Sequence, residues 1–173
     1  MNSRISFFGR MAVAAMLAVL STSAALAQVK DFSVRGSFAG HAIAIAHGGT
    51  FQASGGGAGH ASHIGRFTYV VNATVNGVNS TGVFLLSFNN GDVIHGSFTG
   101  LGDITGPTEA HIVENLTING GTGRFEGATG SLTLDRIADL STLPAFDSHS
   151  GTLTGTIIPK LKSGAARNEE PHA

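Results

Sequence analysis

The chain has 173 residues, with ten Lys and Arg against eleven Asp and Glu, 25 glycines and no cysteine. The lack of cysteine excludes disulfide bonds, thiol catalysis and metal sites built on thiolates. The net charge is near zero and there is no basic block, which argues against nucleic acid and anionic membranes as partners.

The chain begins with a segment that has the features of a secretory signal peptide. Arg4 and Arg10 precede the apolar run 11–20, and small residues follow up to a predicted cleavage site after Ala27. The apolar run is too short to span a bilayer comfortably. We therefore predict a signal peptide over 1–27 and a secreted or periplasmic protein without a membrane anchor.

The rest of the sequence alternates apolar residues with polar or small ones in short runs, which is typical of antiparallel all-β domains. We assign 28–160 to one domain and 161–173 to a disordered tail. Consecutive hairpins close most economically into a barrel, because closure removes the sheet edges. The predicted fold is an eight-stranded antiparallel β-barrel, with a two-sheet sandwich as the alternative.

The first elements in chain order are two strands and a loop. The run 31–47 is strand-like, but its apolar face changes near 39–41, which predicts a bulge or bend. The segment 47–59 (HGGTFQASGGGAG) has no periodicity and is interpreted as a flexible loop. The next strand, 63–75, places its aromatic residues on one face.

Hairpins dominate the middle of the chain. Residues 76–79 (NGVN) form a turn, and 89–92 (NNGD) join two further strands through an Asn-Gly step that accepts positive φ angles. A strand over 111–118 follows. After a loop around Pro144, the last strand covers 149–158.

A glycine-rich stretch, "INGGTGRFEGATGSL", begins at the end of the strand 111–118 and continues into the next strand. A phosphate-binding loop needs a following helix, and calcium-binding glycine repeats need aspartates at a fixed step, and neither is present. We interpret the glycines as backbone devices. Gly120, Gly121 and Gly123 are predicted to form a hairpin with positive φ angles, and Gly127 and Gly130 to let a strand coil sharply.

These residues resemble the allene oxide cyclase and dirigent barrel superfamily over roughly 118–158. The plant dirigent turn is similar at Gly120, Gly121, Thr122, Gly123 and Phe125, and allene oxide cyclases are similar at Gly120, Gly121, Gly123, Phe125, Glu126, Gly127 and Gly130. The dirigent arginine after the phenylalanine is Glu126 here. The N-terminal catalytic positions of the cyclases match no residue of this chain.

The resemblance implies a calycin-like barrel, often a homotrimer, whose lumen takes a small, largely apolar molecule. Known members work without metal or organic cofactor, either cyclising a lipid-derived epoxide or orienting phenoxy radicals. It therefore implies a ligand or substrate of that class and no cofactor, while fold resemblance alone does not transfer an activity.

The candidate site residues are those that strand alternation directs into the lumen. His63 and Tyr69 fall on the aromatic-rich face of 63–75, and Glu114 lies on the apolar face of its strand. A carboxylate there suits a general acid or base. Alternatively, Glu114 bonds His63 or an arginine as a polar plug, or lies in solvent at a strand edge.

Other chemistries have weaker support. His60 and His63 are three apart and face opposite sides of a strand, which argues against a metal site. The letters of a hydrolase triad occur in 147–150 (DSHS), but as close neighbours in sequence they are not expected to form one. Two functions remain: a cofactor-independent isomerase or cyclase that uses Glu114, His63 and Tyr69, or a non-catalytic exported carrier or envelope barrel.

Overall fold

The structure is a computed structural model that describes residues 31–142 and 147–160. The predicted signal peptide (1–27), the loop around Pro144 and the predicted tail (161–173) lie outside the described residues. In the part that is described, no helix is long and apolar enough to cross a membrane.

The described chain is built from β-strands, and its only helical element is a 3-10 turn at Gly123–Phe125. Each strand pairs antiparallel with the next, and the first also pairs with the last, so the sheet closes into a barrel. The predicted eight-stranded antiparallel barrel is confirmed, and the sandwich alternative is wrong. The strands are β1 (Phe32–His47), β2 (Thr50–Ala61), β3 (Gly65–Asn76), β4 (Asn79–Phe88), β5 (Val93–Gly106), β6 (Glu109–Gly121), β7 (Thr129–Asp139) and β8 (Asp147–Ile158).

The loop predicted over 47–59 is wrong, and of the bulge or bend predicted in the first strand the bulge is absent. The segment 47–59 is largely strand β2, whose backbone pairs with both β1 and β3. This backbone pairing holds the strand in place even though its glycines show no apolar alternation. Strand β1 has no bulge, because it pairs without a register shift on both sides. The apparent change of face arises from Ile43 and Ile45, which lie on the outer surface with 46% and 64% exposure.

The two ends of the barrel differ. The β2–β3, β4–β5 and β6–β7 connections lie at one end, which we call the closed end. The β1–β2, β3–β4 and β5–β6 turns lie at the opposite end, which we call the mouth. Ile64 and Phe125 from the connections at the closed end are 3% and 1% exposed. Arg124 donates from Nη2 to the Ile64 carbonyl at 2.8 Å and ties these two connections together. The closed end is thereby capped by the chain's own loops.

The half of the lumen next to this cap is filled with apolar side chains. Alternation along each strand directs one residue in two inward, and toward the closed end these residues are buried and large. Burial of each aromatic side chain contributes about 2 kcal/mol to the free energy of unfolding. The buried phenylalanines of the strands are Phe38, Phe67, Phe84, Phe88 and Phe98.

Large inward side chains lie over glycines in neighbouring strands. Phe67 pairs with Gly59 across β3 and β2, and a β-carbon on Gly59 would come within 2.9 Å of the ring atom Cε2 of Phe67. A β-carbon on Gly82 would come within 2.7 Å of the Phe98 ring in the same way. These distances are shorter than real β-carbon contacts allow, so glycine is required opposite the ring. The same arrangement recurs for Phe84 with Gly96, Tyr69 with Gly57 and Glu114 with Gly100.

The glycine-rich stretch forms the end of β6, the capping connection and the start of β7. Gly123, Gly127 and Gly130 have positive φ angles of 59°, 64° and 133°, as does Gly120 at 153°. The prediction for Gly121 is wrong, because its φ is not positive. Glycine is instead needed there for space, since a β-carbon would overlap the Val93 carbonyl oxygen and approach Phe125 Cβ to 2.8 Å.

We expect Gly123→Ala to destabilise the fold more than Gly48→Ala. Both glycines have positive φ angles, near 60°, where a β-carbon costs about 1 to 2 kcal/mol. A β-carbon at Gly48 meets nothing within 4 Å, whereas one at Gly123 overlaps the Asp92 carboxylate. Urea unfolding of the two variants and wild type measures the difference.

The same urea unfolding experiments distinguish a structural role of the glycine-rich loop from a ligand-binding role. If the glycines serve the backbone, the loss in Gly123→Ala stays the same when phosphate or calcium is added. A stabilisation by either ion that wild type shows and Gly123→Ala lacks would contradict the structural interpretation.

Candidate functional site

The half of the lumen near the mouth is lined by small side chains that retain partial solvent exposure. Ala44, Ala53 and Ala73 point inward there and are half-buried, in contrast to the phenylalanines of the closed half. Six inward side chains of the described strands are polar or charged, and we call them the polar cluster. They are Tyr69, Ser80, Glu114, Arg136, Asp147 and His149.

Tyr69, His149 and Asp147 form a hydrogen-bonded chain inside the barrel. The Tyr69 hydroxyl lies 2.6 Å from His149 Nε2, and His149 Nδ1 lies 2.9 Å from Asp147 Oδ1. The same Asp147 oxygen accepts the Ala42 backbone N–H at 3.0 Å. Since the carboxylate accepts from Nδ1–H, Nε2 is the acceptor for the phenol proton. Tyrosine and histidine are 7% exposed.

The strand register explains how a tyrosine on β3 reaches a histidine on β8. Tyr69 pairs with Gly57, Gly57 with Gly40, and Gly40 with His149, so one row crosses four strands. The two intervening positions have no side chain. A β-carbon on Gly57 would lie 2.8 Å from the Tyr69 hydroxyl, and one on Gly40 would also overlap it. The glycines therefore open the path that the phenol occupies.

Burial raises the pKa of the Tyr69 hydroxyl to about 12. Arg136 acts in the opposite direction, and the carboxylates of Asp147 and Glu114 add to the rise. The phenol is therefore neutral at physiological pH and available as a hydrogen-bond donor. It loses its proton only together with a partner that compensates the charge.

Glu114 and Arg136 form a second polar pair. The Arg136 atoms Nε and Nη2 donate to the two carboxylate oxygens at 3.1 and 3.2 Å, a bidentate arrangement. The side chains are 15% exposed for Arg136 and 10% for Glu114. Of the alternatives left open for Glu114, the structure shows pairing with an arginine. Glu114 Cγ and Ser80 Oγ both lie above Gly100.

Two polar atoms of this cluster have unused hydrogen-bonding capacity. Ser80 Oγ and Arg136 Nη1 are buried without a hydrogen-bond partner among the described residues. Buried polar groups are normally paired, because an unpaired group costs about 1 to 3 kcal/mol.

His63 does not lie in the lumen. It is in the β2–β3 turn with a φ of 65°, exposed, and its Nδ1 donates to the Ser33 carbonyl at 2.8 Å. Its ring stacks at 5.9 Å from Phe32. The predicted face is wrong for His63 because strand β3 begins only at Gly65, so its alternation does not extend back to the histidine. Tyr69 and Glu114 are inward-facing, as predicted.

Sequence reasoning missed four residues of the cluster, which are Ser80, Arg136, Asp147 and His149. Asp147 and His149 were set aside as too close in sequence for a triad, yet residues two apart on a strand share a face and here they bond directly. Their third partner is a tyrosine from another strand and not the neighbouring serine. Arg136 shares the inward face of Leu132 and Leu134, and a charge on that face was the available signal.

Within the described ranges, no group of three or more His, Asp or Glu side chains could hold a metal ion. Two open depressions, of about 570 and 520 Å³, lie on the outer surface. The first runs between exposed residues such as Ala58 and Ile137, and the second between residues such as Ile43 and Val83. His149 is one of the residues that line the first depression, and the other residues of the polar cluster line neither of the two.

We expect native Tyr69 to titrate near pH 12. It is the only tyrosine and there is no tryptophan, so tyrosinate absorbance at 295 nm reports this residue alone. Because the folded pKa lies above the unfolded value near 10, its contribution to stability is complete below pH 10 and is lost as pH rises toward 12. In denaturant the midpoint returns to about 10. Circular dichroism of the same samples monitors folding, and a midpoint near 10 in folded protein would contradict the buried assignment.

We expect Glu114→Gln to destabilise the protein by about 3 kcal/mol, because it leaves the guanidinium of Arg136 buried without its counterion. The double variant Glu114→Gln/Arg136→Gln recovers much of this loss. Glu126→Gln, which neutralises an exposed glutamate, is the matched control. Denaturant unfolding of these proteins together with the single variant Arg136→Gln completes the double-mutant cycle and gives the coupling energy. A Glu114→Gln variant as stable as wild type would show that the ion pair is unimportant.

Comparison of the chain with protein-family models, with curated proteins and with solved structures finds no match. The resemblance to the allene oxide cyclase and dirigent superfamily therefore stays a prediction from the residues 118–158.

Proposed function

We propose that this protein is an exported barrel of the allene oxide cyclase and dirigent type that binds a small, largely apolar molecule in its lumen. The molecule enters through the mouth and lies against the polar cluster. Tyr69, His149 and Asp147 then transfer protons in a cofactor-independent isomerisation or cyclisation. The observation that carries the proposal is the hydrogen-bonded chain of these three residues inside the barrel.

The shape of the lumen supports binding from one end. Small, half-buried residues such as Ala44, Ala53 and Ala73 leave room near the mouth, while packed phenylalanines and the loop cap fill the other half. Ligand sites in proteins commonly combine apolar walls with a few convergent polar groups. A short apolar molecule with one polar group fits this division.

The hydrogen-bonded chain supports proton transfer. When the Tyr69 oxygen accepts a proton from the ligand, the phenol proton passes to His149 Nε2, and the imidazolium is stabilised by Asp147 through Nδ1–H. Return of the proton to another atom of the ligand reverses each step. The protein ends in its starting state, so an isomerisation needs no other reactant. Glu114 serves in this scheme by holding Arg136, and His63 has no part in it.

We expect the neutral fluorophore N-phenyl-1-naphthylamine to bind in the barrel lumen when it is added to the protein of residues 28–173. We expect Ala73→Phe to block this binding. Ala73 points into the mouth, so a phenyl ring there occupies ligand space. Ala58→Phe is the matched control, because Ala58 faces outward next to the larger surface depression. Fluorescence titration of the three proteins measures binding.

A loss of binding in Ala58→Phe but not in Ala73→Phe would place the site on the outer surface and overturn lumen binding. Proton transfer is checked with 2-decanone in D2O by NMR. Proton transfer predicts deuterium uptake into 2-decanone that is lost in Tyr69→Phe. If 2-decanone binds but shows no such Tyr69-dependent uptake, the result favours the alternative, a non-catalytic carrier whose polar cluster only orients its ligand.

A further inference from the structure

We infer that the lumen recognises an uncharged oxygen acceptor of its ligand, such as a ketone, ester or enone carbonyl, through Arg136 Nη1 and Ser80 Oγ, and that it discriminates against carboxylates. This inference rests on the proposed binding in the lumen and specifies the chemical class of the ligand.

The two unpaired atoms define what the ligand must offer. Arg136 uses Nε and Nη2 for Glu114, and its Nη1 hydrogens have no acceptor among the described residues. A guanidinium nitrogen can only donate. Ser80 Oγ likewise has no partner in the described part of the chain and can donate. The ligand group that either donor can bind is therefore an oxygen with free lone pairs.

Strand register brings these donors to the same region. Ser80 pairs with Gly100 and Gly100 with Glu114, so the hydroxyl and the carboxylate stem approach each other above a residue without a side chain. The carboxylate in turn holds the guanidinium. The three side chains therefore form one contiguous polar patch on the lumen wall.

The charge of the lumen selects against an anion. Among the described residues, the inward-facing charged side chains are two carboxylates, Glu114 and Asp147, and one guanidinium, Arg136. Arg136 is already neutralised by its bidentate partner. A ligand carboxylate would add a third negative charge in a poorly solvated space, which is costly without a further cation. An uncharged carbonyl has no such cost.

The patch also fits the proposed proton transfer. Removal of a proton next to a carbonyl develops negative charge on the carbonyl oxygen, and fixed donors at that oxygen stabilise this charge. Arg136 and Ser80 would supply those donors, while Tyr69 accepts the proton. Ligand recognition and charge stabilisation would then use the same two atoms.

The test is displacement of N-phenyl-1-naphthylamine by two probes of equal length, 2-decanone and decanoate, at pH 8. We expect 2-decanone to bind at least tenfold more tightly than decanoate. Ser80→Ala should weaken 2-decanone roughly fivefold, the effect of losing one hydrogen bond. Arg136→Lys should also weaken it, while Ser131→Ala on the outer face is the matched control.

Stability provides an independent readout for Ser80→Ala. Because the hydroxyl is buried without a partner, removing it should leave the midpoint of unfolding unchanged or raise it. Weaker ketone binding together with equal or higher stability is the signature of a ligand-binding hydroxyl, which a merely structural serine would not give.

The outcomes separate the two proposals. Decanoate binding as tightly as 2-decanone, no effect of Ser80→Ala on 2-decanone, or failure of both probes to displace a lumen-bound fluorophore would overturn the acceptor inference and leave lumen binding in place. Absence of any fluorophore binding to wild type would overturn the proposed function, and this inference with it.

Discussion

The interior of an eight-stranded barrel is only wide enough for one layer of interdigitating side chains, and this limit governs the whole structure. A large side chain can point inward only where the neighbouring strand leaves it space. Phe67, Phe84 and Phe98 each lie over a directly paired glycine, and so do Tyr69 and Glu114. The abundance of glycine, which looks like flexibility in the sequence, is therefore a packing requirement of the closed sheet.

The polar cluster depends on the same limit. Tyr69 reaches His149 only because Gly57 and Gly40 have no side chains between them. The stem of Glu114 lies over Gly100 of β5, while its carboxylate binds Arg136 of β7. Buried hydrogen bonds and ion pairs are stable when their geometry is fixed by rigid surroundings. Closed strands with continuous pairing provide those surroundings, so the cluster is held by the fold and not by flexible loops.

The fold could be predicted from the sequence because it depends on alternation and turn residues. Gly77 and Gly91 have the positive φ angles expected of the turns they mark. Strand β2 could not be recognised, because glycines interrupt its alternation. Two of them, Gly57 and Gly59, are required by rings on another strand, Tyr69 and Phe67. The same holds for Gly121, where space and not φ requires glycine.

The candidate site could be predicted only in part. Alternation identified Tyr69 and Glu114 as inward-facing, and it failed for His63 because a turn interrupts the strand before that residue. His149, the partner of Tyr69, lies 80 residues further along the chain. Arg136, the partner of Glu114, lies on the next strand but diagonally from it, since Glu114 pairs directly with Leu134. Which strands meet across the lumen depends on register and tilt, and these are properties of the closed sheet that no local stretch of sequence contains.

Gly102 does not follow the packing rule. Gly102 points into the mouth, its φ is not positive, and a β-carbon there would meet only Ile112 and the Val78 carbonyl at an ordinary 3.6 Å. Neither backbone conformation nor a neighbouring ring demands glycine at this position. Because Gly102 has no side chain, the interior of the barrel is wider at the mouth. A methyl group at this position would narrow the mouth without disturbing the phenylalanines packed near the closed end. Access to the lumen is thus adjustable independently of the stability of the fold.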